Sequence, residues 1–124
     1  MTLEIQFNEW LDKLNKTEQA DNSIIAFNFG LFETHEGFTM YLIGSETFDP
    51  DDDDWAVNVD FEPKDKYLTF EKSLIKTKEW KEIQKISTKL ITDYVNSEKF
   101  KESILKNATA ITTGFDDGDL TRIK

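Results

Sequence analysis

At 124 residues the chain is the length of one domain, 1–124, and its 38% hydrophobic content with ten Phe, three Trp and three Tyr against five Gly and two Pro excludes a disordered or low-complexity polymer. Lys and Arg total 15 and Asp and Glu 25, and the net charge of −10 argues against nucleic acid or an anionic membrane as partner, since both are held by neutralising phosphate. Zero cysteines remove disulfides, thiolate metal sites, iron–sulfur ligation and a Cys nucleophile together.

The first residues, Met1 to Gln6, carry neither a basic n-region nor an apolar h-region, so a cytoplasmic protein without an export signal or membrane span is the expectation. Leu3, Phe7, Trp10, Leu11 and Leu14 recur at helical spacing, predicting an opening amphipathic helix with Glu4, Glu9, Asp12, Lys13 and Lys16 on its other side. Residues 23–32 are apolar at both parities, as in a strand covered on both faces. Thr34 to Gly37 reads as a short turn, and 38–44 returns to complete a β-hairpin. The acidic run Asp49 to Asp54 follows. Trp55 to Phe61 then alternates, with Trp55, Val57, Val59 and Phe61 on one face and Asn58 and Asp60 on the other, predicting a half-buried strand. Glu62-Pro63 ends it, and 67–70 is a further short strand.

Trp80, Ile83, Ser87, Leu90, Ile91 and Tyr94 form a helical stripe, with Lys78, Lys81, Lys85 and Lys89 largely off it, predicting a helix to about Asn96 with Trp80 against the core. Ser97 reads as the N-cap of a second, shorter helix, because Phe100, Ile104 and Leu105 fall out of phase with that stripe. Two β-prone runs, 110–115 and 120–123, bracket Asp116-Asp117-Gly118-Asp119 and predict a closing hairpin. The order describes an α+β domain: an antiparallel sheet of about four to six strands, with an N-terminal helix and two C-terminal helices packed on it.

Charge is distributed unevenly. Residues 1–63 hold 15 acidic and 2 basic side chains, net −13, whereas 64–124 hold 10 and 13, net +3. Asp49, Asp51, Asp52, Asp53 and Asp54 place five carboxylates in six residues, and their mutual repulsion requires water, a cation or a basic partner nearby. Asp49, Asp51, Asp53 and Asp60 fall at positions 1, 3, 5 and 12 of a calcium-loop register, but Asp54 stands where the loop turns on Gly, and strands are expected where an EF-hand has helices. No metal or cofactor is therefore expected. Asp116, Asp117 and Asp119 form a second acidic group around a turn glycine. Trp55 is either the first core anchor of its strand or an aromatic of a binding patch, and Asn58 and Asp60 either face solvent or extend the acidic surface.

Motifs of enzymes are missing. His35, the sole histidine, sits in a turn beside Glu33 and Glu36, with no second His four residues on. No Gly-x-Ser-x-Gly, Gly-x-Gly-x-x-Gly or phosphate-loop pattern occurs. Pairs such as Glu33 with Glu36 or Asp60 with Glu62 are what 25 carboxylates produce by chance.

The stretch Phe27 to Phe61, a two-faced strand, Gly turn, strand, poly-Asp loop and Trp55-Ala56-Val57-Asn58-Val59-Asp60-Phe61, resembles small acidic bacterial immunity proteins that neutralise polymorphic or contact-dependent toxins. The resemblance implies a non-catalytic cytoplasmic protein that binds a cognate toxin, often a nuclease, by covering a basic surface with acidic residues. Asp49, Asp51, Asp52, Asp53, Asp54, Trp55, Asn58 and Asp60 are then the expected partner-binding residues. Two other readings accompany it: a self-associating structural or adaptor protein, and a small carboxylate-based enzyme.

Overall fold

Alternate residues of the strand Ala26–Thr34 (β1) point to opposite sides of the sheet, and both sides of its first six residues are buried. The computed structural model, which describes residues 2–124, makes β1 the middle of a five-stranded sheet. A two-residue turn at His35 and Glu36 returns the chain as β2, Gly37–Ser45, antiparallel to β1 from Ala26–Ser45 to Thr34–Gly37. β3, Tyr67–Thr69, lies antiparallel on the far side of β2. β4, Ala110–Phe115, runs parallel to β1 on its other side, and β5, Thr121–Arg122, closes antiparallel on β4. The order is β3-β2-β1-β4-β5.

The α+β class stands, but the sheet is mixed where a purely antiparallel one was expected. Parallel neighbours need a long crossover, and the segment between β3 and β4 supplies it. That segment holds the short helix α2, Lys72–Ile75, the long helix α3, Trp80–Val95, and a 3₁₀ helix, Glu98–Glu102. The expected second C-terminal helix is thus a 3₁₀ turn. Ser97 precedes it without capping it, because its hydroxyl donates to the Tyr94 carbonyl at 2.6 Å.

One sheet face carries the main core. Helix α1, Leu3–Thr17, begins where the Thr2 hydroxyl accepts the Ile5 amide at 3.1 Å, and it buries Phe7, Trp10, Leu11 and Leu14. Ile83, Ile91 and Tyr94 of α3 join them over Phe27, Phe29 and Leu31 of β1, Met40 and Leu42 of β2, and Ile111 of β4. A buried polar pin holds α3 to the sheet. Thr113 spends its hydroxyl proton on the Phe29 carbonyl at 2.8 Å, so Ser87 donates to the Thr113 oxygen at 2.7 Å. Gln6 fixes α1 to the β3 edge by donating to the Thr69 carbonyl and accepting the Glu71 amide, and the Trp10 indole donates to the Asp65 carbonyl at 2.9 Å.

Two expectations fail for local reasons. Trp80 is 50% exposed and stands edge-on to Phe115; it opens α3 a turn before the buried series Ile83, Ser87, Ile91 and Tyr94 begins. The strand expected over Trp55 to Phe61 is instead a 3₁₀ helix, Asp53–Val57, followed by irregular chain with a single bridge between Phe61 and Gly44. The Asp52 carboxylate accepts the Asp54 amide at 2.9 Å and starts the turn, the local bonding that makes Asp a turn former. Next to β2, the pairing edge belongs to that one bridge and to β3.

Candidate functional site

The second face of the sheet mixes small and polar side chains with a few large ones. Ala26, Asn28, Gly30 and Phe32 of β1 share it with Tyr41 and Ile43 of β2 and with Ala110, Thr112 and Gly114 of β4, by strand alternation. Thr112 donates to Asn28 at 2.9 Å within it. Over Ala26 and Ala110 the acidic loop descends, and Trp55 is its nail, 4% exposed, with Phe48 in a T-shaped contact at 5.3 Å and Ile25, Ala56 and Leu120 around it. Arg122 covers the Phe48 ring at 4.7 Å. Trp55 is thus buried, as an anchoring residue was expected to be, but within a 3₁₀ turn and not a strand.

The nail holds up the carboxylates. Asp49, Asp51, Asp52, Asp53 and Asp54 are all exposed. Asp49 accepts the Asp51 amide at 2.9 Å, and Asp53 accepts the Leu120 amide at 3.0 Å. That last bond joins the loop to the segment after β4, so two acidic runs more than sixty residues apart in sequence meet above one edge of the face. Asp116, Asp117 and Asp119 of the second run are exposed as well. None of these eight carboxylates takes part in an ion pair among the described residues, whose pairs involve other acids.

Asp60 and Asn58 are exposed but serve the loop's base. Asp60 accepts the Glu46 amide at 2.8 Å, and Asn58 reaches the Thr47 hydroxyl at 3.5 Å. With no strand at 55–61, the alternation that set this pair opposite Trp55, Val57 and Val59 does not exist. The calcium-register residues Asp49, Asp53 and Asp60 hold backbone amides at three separate points, and no group of three or more potential metal ligands is gathered among the described residues.

Beside the crown of carboxylates lies an open groove of about 450 Å³, lined by Phe32, Tyr41, Ile43, Ala56, Val57, Val59, Lys66, Tyr67 and Asp116. Its floor depends on a glycine. The Tyr41 ring lies flat across Gly30, where a Cβ would overlap it, and its hydroxyl donates to Asp116. Burial, then the hydrogen bond and charge of Asp116, push the Tyr41 phenol well above its ordinary range. Gly114 serves the neighbouring turn in the same way, since a Cβ there would stand 2.6 Å from the Asp119 carbonyl. Phe32 and Asp116 also line a second groove of about 870 Å³, between Trp80 and the Asp116–Asp119 turn.

The sequence singled out the acidic runs and missed the groove. Tyr41, Phe32 and Tyr67 carried no motif, and only the β1–β2 register brings Tyr41 opposite Gly30. Val57 and Val59 were assigned inward by an alternation that belongs to strands. Compared with family models, curated proteins and solved structures, the chain finds no match.

Proposed function

We propose that this protein is a non-catalytic binding module that covers a basic surface of a partner protein, in the manner of an acidic immunity protein covering a toxin. One observation carries the reading: Asp53 bonded to the Leu120 amide draws the 49–54 and 116–119 carboxylates together, exposed and without internal cations among the described residues. Such a field accelerates encounter with a positively charged protein and penalises a negatively charged one. Asp49, Asp51, Asp52 and Asp54 supply steering charge at the rim, Asp53 holds the loop to the 116–119 turn, and Asn58 and Asp60 brace the loop from below.

The test is association kinetics with the polypeptide encoded by the adjacent reading frame, at low and high salt, for the wild type and a variant with Asp51, Asp52, Asp53 and Asp54 all replaced by Asn. The association rate should fall by about tenfold or more at low salt and lose most of its salt dependence, because rim charges act on encounter. Identical rates at both salts for the two proteins would dismiss the acidic crown as the recognition surface.

A further inference from the structure

Exposed large apolar side chains are few in this molecule and three of them share one place. Among the described residues Val57 is 76% exposed, Tyr67 53% and Val59 46%, and all three line the groove beside the acidic crown, leaving only Ile5 and Trp80 elsewhere. We propose that this groove receives a large apolar side chain from a basic polypeptide segment, so that the partner presents an apolar anchor flanked by Lys or Arg. The proposal rests on the basic-partner reading above and adds the element that would hold the complex together once charge has steered it in.

The groove is built before anything enters it. The rings of Phe32, Tyr41 and Tyr67 stand 6.0 to 6.4 Å apart as a mutually packed floor. Tyr41 is fixed by Gly30 beneath and Asp116 at its hydroxyl. Lys66 places its ammonium 5.4 Å from both tyrosine rings and 3.1 Å from Glu62, so its charge is answered within the chain. A rigid aromatic floor with branched aliphatic walls matches the interface anchors that carry most binding energy, and little ordering cost remains to be met on association.

Charge selects the occupant. Asp116 lines the groove, and Ala56 and Val57, which line it too, belong to the same 3₁₀ turn as Asp53 and Asp54. Phosphate-bearing ligands are repelled by that rim. A second copy is disfavoured too, because a two-fold interface sets each patch against itself and would face one acidic crown with another. A cationic segment gains from the rim while its apolar residue fills the floor.

The experiment uses three synthetic peptides and nitrogen-labelled full-length protein observed by two-dimensional NMR. The probes are Arg-Lys-Phe-Leu-Lys-Arg, its Ser-Ser counterpart Arg-Lys-Ser-Ser-Lys-Arg, and the uncharged Gln-Gln-Phe-Leu-Gln-Gln. The first should shift the amides of Val57, Val59 and Tyr67 and bind about tenfold or more tighter than either of the others, as expected for loss of one anchor or of the flanking charge. Val57→Ser combined with Tyr67→Ser should abolish its advantage over the Ser-Ser peptide while lowering the melting temperature by only a few degrees, since both side chains are more than half exposed and the ring contacts of Tyr67 are the packing lost.

Equal binding of the two basic peptides, with shifts confined to the carboxylate loops, would overturn the groove and leave the basic-partner reading standing. If the uncharged peptide bound as tightly as the first, the cationic occupant and the basic-partner reading would fall together. Absence of shifts at the groove with every peptide, or concentration-dependent shifts there without peptide, would also overturn the inference, the latter in favour of a second copy.

Discussion

The two faces of one sheet are finished in opposite ways. The inner face is sealed by α1 and α3, and among the described residues twenty-one buried ones form a continuous cluster there. The outer face is closed at one end by a loop nailed down with Trp55 over Ala26 and Ala110, a buried cluster of three, and at the other end its aromatics remain open. Helices cover apolar surface densely because each turn returns a side chain to the same stripe. An irregular loop of charged residues can cover only where one large side chain reaches down. The division assigns stability to one face and leaves the other available for contact.

The sharpest way to break that division is to compare truncations on either side. Phe29→Ala, beneath both helices, should cost about 3–5 kcal/mol of unfolding free energy by leaving a cavity in a dense core. Trp55→Ala should cost less, about 2–3 kcal/mol, because a loop collapses over a lost side chain more readily than a helix pair does. Urea unfolding measures both, and equal losses would show the loop to be part of the main core. Trp55→Ala should also loosen the carboxylate loop, read as faster amide exchange at Asp53 and Asp54.

Smaller effects sharpen the contrast. Trp80→Ala should cost about 1 kcal/mol, well short of a buried tryptophan, since half of its surface is already in water and only its contact with Phe115 is lost. Tyr41 and Tyr94, one from each face, both ionise above the ordinary phenol range, each chiefly through burial. A raised native value means the stabilisation is complete below the unfolded phenol value of about 10 and is lost as pH rises through the native one. Unfolding free energy should therefore fall as pH climbs past about 10, and Tyr41→Phe should flatten part of that slope. An unchanged slope in Tyr41→Phe would mean that Tyr41 ionises alike in both states. The four-Asp-to-Asn variant should alter stability least, within about 0.5 kcal/mol, with relief of repulsion offset by weakening of the hydrogen bonds that residues 52 and 53 accept, since an amide oxygen is a poorer acceptor than a carboxylate.

Much of this architecture was legible in the residues alone. The α1 stripe, the β1–β2 hairpin, the α3 positions Ile83, Ser87, Ile91 and Tyr94 and the break near Asn96 follow from local periodicity and turn chemistry, which depend on neighbours a few positions away. The acidic runs were visible for the same reason. The sequence left undetermined which strand β4 would join and in which direction, because parallel pairing with β1 depends on a crossover through α3 that no local pattern within β4 announces. Alternation misled at Trp55 to Phe61, since an apolar-polar period of two is also compatible with a tight turn in which one tryptophan is buried and Val57 and Val59 are left outside. Likewise, only the folded sheet brings Tyr41 across Gly30 to Asp116 and Asp53 to Leu120. These are contacts between distant segments, and their geometry is set by strand register and packing rather than by any local preference.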